Sequence, residues 1–421
     1  MIKSGLSQFS GKNVVLLQGP IGPFFNRLAS DLDAAGANVF KINFNGGDWL
    51  FYCKRAINFR QHPNQWPAFF NKFIQKHQIN TVLLFGDCRP IHQEARLIAT
   101  MHRLEIGVFE EGYVRPNYIT LEKYGVNANS KIPRLAHFYS ELPELPELPD
   151  HKSINVGNSF WFATMWGMMY YAASVVMRPY FKHYQHHRIL SIWQGLYWIR
   201  SLWRKWLYAY QQKNKLHKLV TDHHKKFYLV PLQVHNDAQL HHHSDFVSID
   251  AFISDVINSF AEHAPKECQL VIKHHPMDRG FHHYGKLIDI ICQNKALRDR
   301  VHYVHDLHLP TLLKHTKGVV VINSTVGLSA LMRNCPTIAC GNALYDIEGL
   351  TYQGCLDNFW QDAAFFKVDG NLFRKFLTHL INYSQINGNF YKRIQQMKRR
   401  SGVGWENEMY QHQNVHMNQP N

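Results

Sequence analysis

Three short stretches of the 421-residue chain carry side chains whose types and spacing suit chemistry. In Leu270–Gly280 (LVIKHHPMDRG) the apolar run Leu270-Val271-Ile272 reads as a buried strand, and Lys273, His274 and His275 crowd cations at its end before Pro276 stops it. Proline holds the residue before it in extended geometry, which aims His275 in a fixed direction. Ligands of open α/β sheets bind outside the carboxyl ends of the strands, where this cluster falls. In a chain with 28 histidines the plainer reading is a histidine-rich surface loop. Asn323-Ser324-Thr325 lies between a strand and a helix that starts on Val326-Gly327-Leu328-Ser329. Backbone N–H groups and hydroxyls at such a place suit a phosphate, and an ordinary N-cap uses the same residues. Glu110-Glu111-Gly112 puts two carboxylates at a strand end beside Arg115. Adjacent like charges raise one pKa while the other group stays ionised, which serves a base or a nucleophile. The plainer reading pairs one of them with Arg115. No DxD-type pair stands at a strand end, and Asp31 and Asp33 fall in a helix, so no metal is expected.

Strands alternating with helices must position these groups. Expected strands are 13–17, 37–42, 81–85 and 106–109, with helices over 24–35, 66–77 and 91–103. The loops after them are candidate ligand contacts: Gln18-Gly19-Pro20-Ile21-Gly22, the NFNGGD stretch 43–48, and 86–90 with Asp87 and Arg89. Gly46-Gly47 would let a backbone approach a ligand closely. The run ELPELPELP, 141–149, reads as a linker. Beyond it, strands are expected at 227–232, 270–272, 301–304, 318–322 and 336–339, with helices over 249–263, 284–293, 309–315 and 326–333. The pattern predicts an α/β chain with two Rossmann-like halves. The expected divisions are 1–150, a helical insertion 151–226, a second α/β domain 227–365 and a helical tail 366–421.

An apolar content of 45% supports well-buried cores, and the formal charge of +15 calls for an anionic partner. Seven cysteines without a CxxC pair, and an N-terminus without a long apolar segment, predict a reducing cytoplasm and no signal peptide. The window Phe160–Met177 carries no charge, and Trp198, Arg200, Trp203, Arg204 and Lys205 follow it. Tryptophan interleaved with Lys and Arg suits the headgroup layer of an anionic membrane. A buried helical hairpin and a spanning helix are the other readings of this segment.

The stretches QGPIGPFF, FNGGD, FGDCRP, FEEGYVRPNYITLE, VIKHHPMDRG, INSTVG and GNALYDIEGLTYQG, in this order, resemble the KpsS/LipB family of capsule polysaccharide proteins, over nearly the whole chain to about Trp360. The resemblance implies a GT-B fold, two Rossmann-like domains facing a cleft with a helical aromatic and basic insertion between them. It also implies retaining transfer of Kdo from CMP-β-Kdo to a (lyso)phosphatidylglycerol acceptor, the step that starts the β-Kdo linker of a Gram-negative capsular polysaccharide. The family's acidic-acidic-Gly, HP and Ser/Thr motifs fall on Glu110-Glu111-Gly112, His275-Pro276 and Ser324-Thr325. On this reading Glu111, tuned by Glu110, and His275 are catalytic. Lys273, His274, Pro276, Asn323, Ser324 and Thr325 bind the donor, and Gln18, Gly19, Gly22, Asp87, Arg89 and Arg115 line the acceptor side. An inverting or ion-pair route uses the same groups. No cofactor is expected, and the implied location is peripheral, on the cytoplasmic face of the inner membrane, with other capsule synthesis or export proteins as further partners. A non-catalytic, membrane-docked adaptor is the alternative. Nucleic acid is the weaker reading, because the basic residues track tryptophans and no nucleic-acid motif is present.

Overall fold

The computed structural model describes residues 5–53, 55–143, 153–184, 194–235 and 246–405. The expected linker beyond Pro143, the basic run around Arg188 and the side chain of Trp198 lie outside the described residues. The chain forms two units. Met1–Lys131, Pro146–Ile192 and Thr378–Asn421 make the first, and Ile132–Leu145 with Trp193–Leu377 the second.

The first unit holds β1 (Asn13–Leu16), β2 (Asn38–Asn43), β3 (Ala56–Asn58), β4 (Thr81–Phe85), β5 (Glu105–Glu111), β6 (Tyr118–Lys123) and, from the far end of the chain, β12 (Gln385–Asn387). They form one sheet in the order β12-β6-β5-β4-β1-β2-β3. The β1–β5 strands pair in parallel, and β6 and β12 are antiparallel additions. Both faces are covered, so β1 is apolar without alternation. Val14 and Leu16 pack with Phe24, Leu28 and Phe109, while Val15 packs on the opposite side with Phe44, Trp66 and Phe70.

The second unit holds β7 (Phe227–Pro231), β8 (Gln269–Lys273), β9 (Val301–Val304), β10 (Gly318–Val321) and β11 (Thr337–Ala339), all parallel, in the order β11-β10-β7-β8-β9. Its helix Ile249–His263 starts where the Ser248 side chain accepts from the Ala251 N–H, and it buries Phe252, Val256 and Phe260. Both sheets thus contain one topology, β3-β2-β1-β4-β5 and β9-β8-β7-β10-β11. The strand order reverses between β1 and β4, and again between β7 and β10. Loops leaving the carboxyl ends of those strands open a crevice in such a sheet.

Three expectations change. Among the described residues the tail is helical only over Gly370–Ser384, after which β12 pairs with β6 at Ile386 opposite Ile119. A three-residue edge strand has no periodicity to read. The insertion is not one body, since the chain passes from the first unit to the second at Ile192 and Trp193. Gly46 and Gly47 serve a helix instead of a ligand. A Cβ on Gly46 would sit 2.2 Å from the Ala173 carbonyl oxygen, and one on Gly47 2.3 Å from the Tyr170 ring. Both neighbours belong to the helix Phe160–Val176, which buries Tyr170 and Ser174. Among the described residues no helix is long and apolar enough to cross a membrane.

Candidate active site

β5 runs through the acidic pair, so side-chain alternation sends Glu110 and Glu111 to opposite faces of the first sheet. Glu110 lies toward the β4 end, where a Cβ on Gly86 would be 3.7 Å from its Oε2. Its pKa is pushed up to about 7, chiefly by burial and further by the charges of Glu111 and Asp87, against the N–H of Glu111, which donates to its Oε1 at 2.9 Å. Glu111 accepts from the Tyr391 hydroxyl at 2.9 Å. Burial, reinforced by the Glu111 charge, raises the Tyr391 pKa well above its ordinary value, so the phenol remains a donor.

Gln18 leaves β1 at the reversal of strand order and is buried in a polar network. Its amide nitrogen lies 3.2 Å from Asp48 Oδ2, 3.2 Å from the Tyr170 hydroxyl and 2.9 Å from the Tyr184 hydroxyl. Its oxygen accepts from Arg89 at 2.7 Å, and the Arg89 charge acts in turn on Glu110. The other acceptor-side candidates hold the loops in shape. Asp87 is buried and accepts from Val126 N–H at 3.1 Å and Asn129 Nδ2 at 3.0 Å. A Cβ on Gly19 would meet the Phe25 ring at 2.7 Å; Gly22, at φ +110°, faces Trp166. Arg115 donates to the Gly112 carbonyl at 3.2 Å, and no ion pair among the described residues joins it to either glutamate.

In the second unit the cation cluster divides. Lys273 and His274 are buried: the ammonium donates to the His305 carbonyl at 3.0 Å, and His274 Nδ1 meets the Tyr303 hydroxyl at 2.7 Å. Burial lowers the Lys273 pKa and takes His274 down to about 3, so this imidazole is neutral. His275 stays half-buried at the strand end. Its Nδ1 accepts the Met277 N–H at 3.2 Å and caps the turn Pro276–Asp278, so the hydrogen of the neutral ring resides on Nε2. Asn323 is bridged to the loop after β7 by the Gln233 amide at 2.9 Å, which joins the two strand ends where this sheet reverses. Ser324 Oγ accepts from Val326 N–H at 3.2 Å, and Thr325 precedes the helix Val326–Leu331. Six residues align few peptide dipoles, so anion binding there would rest on hydroxyls and local N–H groups.

Several residues of both regions escaped the sequence reading. Tyr391, Tyr170 and Tyr184 reach the first sheet from distant segments, with no local signal. His235 follows β7, and buried Asp278 accepts from its N–H at 2.6 Å and its Nδ1 at 2.7 Å, a pairing that fixes the ring. The expected headgroup contact Arg204 is engaged inward, donating to the Arg279 carbonyl at 2.9 Å, and Tyr208 of the same helix, Gln194–Gln211, stacks 3.7 Å from the His305 ring. Arg200, Lys205 and Trp203 on that helix are exposed. Among the described residues no three His, Cys, Asp or Glu are grouped to hold a metal ion.

Two parallel-sheet units of one topology, one with a carboxylate pair and the other with a histidine at a strand end, define a double-Rossmann α/β protein. The chain belongs to the capsule polysaccharide biosynthesis protein family, whose model matches residues 80–391. Within it the chain is of the KpsS/LipB type. It is 43% identical over 390 residues to the capsule polysaccharide export protein KpsS of Escherichia coli, covering 91% of this chain and 97% of that one. It is 41% identical over 391 residues to the capsule polysaccharide modification protein LipB of Neisseria meningitidis serogroup A, covering 91% and 93%. Among solved structures it is similar to Thermosulfurimonas dismutans KpsC, a beta Kdo 2,7 transferase, at 14% identity and a TM-score of 0.42 over 90% of this chain and 99% of that one.

Proposed function

We propose that this capsule polysaccharide protein is a retaining β-Kdo transferase that moves Kdo from CMP-β-Kdo to a (lyso)phosphatidylglycerol acceptor on the cytoplasmic leaflet of the inner membrane. The observation that supports the reading best is the contrast within the acidic pair. Glu111 is held by the Tyr391 hydroxyl, whereas Glu110, one peptide away on the other face, has its pKa pushed up to about 7. In this reading the Glu111 carboxylate bonds to the anomeric carbon as the bond from that carbon to the CMP oxygen breaks. The acceptor hydroxyl then attacks the anomeric carbon, the bond to Glu111 breaks to restore its carboxylate, and the hydroxyl proton passes to solvent water. Glu110 acts on Glu111 through its charge and takes no direct part. His275 and the Ser324 and Thr325 hydroxyls stabilise the charge developing on the departing phosphate, the type of interaction that contributes most when its donors are already in place. No metal enters the scheme.

The test is CMP release from CMP-Kdo with lysophosphatidylglycerol, run on the wild type, Glu111→Gln and His275→Ala. Turnover by the wild type and its loss in both folded variants is the expected result. A folded wild type that releases no CMP would favour the adaptor.

A further inference from the structure

The helix Phe160–Val176 has two faces of different character. Its inner face is anchored by polar bonds. Trp166 Nε1 donates to the Tyr391 carbonyl at 3.1 Å, Ser174 Oγ accepts from Gly47 N–H at 3.1 Å, and Tyr170 joins Gln18 and Asn45, the latter at 2.7 Å. Tyr391 and Gln18 are the same residues that hold Glu111 and Arg89. The absence of a Cβ at Gly46 and Gly47 lets the helix sit close, so its rotation is set.

The outer face is apolar and open. Trp161, Met165, Met168, Met169 and Val176 recur at helical spacing and are exposed, Trp161 by 72%, Met168 by 66% and Val176 by 76%. Exposed large side chains in one continuous stripe mark an interaction surface. Charge identifies what covers it. Between Asp150 and Trp193, the part of this stretch that belongs to the first unit, the sequence has no carboxylate at all, but four lysines and arginines. Arg178 and Lys182, just past the end of the stripe, are exposed. A protein partner would meet a surface with no acid to match its own cations. An anionic bilayer meets both features, taking tryptophan and methionine into its acyl boundary and lysine and arginine at its headgroups.

We infer that Phe160–Val176 is an in-plane membrane helix, which docks by the Trp161–Met168–Val176 face on anionic lipid and carries the Glu111 side of the first unit to the bilayer on its inner face. The surface deepens the transferase reading and rests on it for its purpose, since a lipid acceptor does not leave the leaflet. Of the headgroup contacts expected on the later helix, Arg204 is engaged by the Arg279 carbonyl, while Arg200, Trp203 and Lys205 are exposed.

Vesicle flotation of the full chain tests the surface. Wild type should float with phosphatidylcholine vesicles containing phosphatidylglycerol, float poorly with phosphatidylcholine alone, and be released in part by salt. Trp161→Glu combined with Met168→Glu should weaken binding to the anionic vesicles by about tenfold or more, with thermal unfolding unchanged because both side chains are exposed. If that pair fails to fold, Trp161→Ser with Met168→Ser carries the test. Undiminished flotation of a folded variant overturns the proposal, as does a wild type that never floats. Lipid-free self-association abolished by the same substitutions would make the face a contact between copies, which also overturns it. CMP release on a detergent-dispersed, short-chain acceptor should be unaffected by either pair. Its absence in the wild type, with flotation intact, would sink the transferase reading and leave the surface standing.

Discussion

Tyr391 donates its hydroxyl hydrogen to Glu111 at 2.9 Å, across 280 residues of sequence. The bond joins the strand end that carries the acidic pair to a segment just past β12, and Trp166 of the Phe160–Val176 helix donates to the carbonyl of the same tyrosine. A carboxylate steered by a neutral donor keeps one oxygen engaged and one orientation. Hydrogen bonds to charged groups contribute about 1.5–3 kcal/mol. Tyr391→Phe should therefore lower kcat by about ten- to a hundredfold with little change in KM for the donor. Glu111→Gln should abolish transfer while CMP still binds. Wild-type turnover by Glu111→Gln, with loss in Glu110→Gln, would exchange the two roles.

Glu110 makes stability depend on pH. Its folded pKa, about 7, lies above the ordinary carboxylate value of 4.5, so the unfolded chain gives up the proton first. Stability is then full below about pH 4.5 and declines as pH rises toward about 7. Glu122, also pushed up to about 7 by burial, contributes in the same direction. Glu110→Gln should raise the melting temperature relative to wild type at pH 8 and leave it level at pH 4. The difference should be on the order of 1–3 kcal/mol. Parallel melting curves across that range would refute the assignment.

Arg204 and Arg200 should part company. Arg204→Gln removes the donor to the Arg279 carbonyl and should destabilise the second unit by about 1–2 kcal/mol in urea unfolding. Arg200→Gln, exposed, should be within about 0.5 kcal/mol of wild type. Equal midpoints for the two variants would return Arg204 to the surface role read from the sequence.

Asp278 should matter more for fold than its place beside an HP motif suggests. Both its oxygens serve His235, and the carboxylate is buried. Asp278→Ala leaves the His235 N–H without its acceptor and should cost about 1–3 kcal/mol, with His235→Ala costing less, since the carboxylate keeps a backbone partner. Double-mutant analysis by chemical denaturation reads the coupling; purely additive effects would deny it.

Transfer should survive chelation. The proposed phosphate contacts are His275, Ser324 and Thr325, and none requires a cation. Activity lost with EDTA and restored by magnesium or manganese would refute the scheme.

Local pattern alone determined much of this protein. The apolar run Val14-Val15-Leu16 and the Leu270 strand announced themselves because a strand covered on both faces has no polar position. The helices Trp66–His77, Ile249–His263 and Leu309–His315 followed from periodicity together with their starting residues. The positions of Glu111, His275 and Ser324 at strand ends were legible for the same reason, as each follows or closes an apolar run. Tertiary structure decided the rest. It put Glu110 and Glu111 on opposite faces, turned Lys273 and His274 into the core and left His275 at the edge. It brought β12 and Tyr391 to the first sheet, and it gave Gly46 and Gly47 to a helix more than a hundred residues away. The physical reason is range. Strand and helix propensities act over a few residues and leave a mark in the sequence there, whereas a hydrogen bond or a close backbone approach between distant segments exists only once the chain has closed on itself.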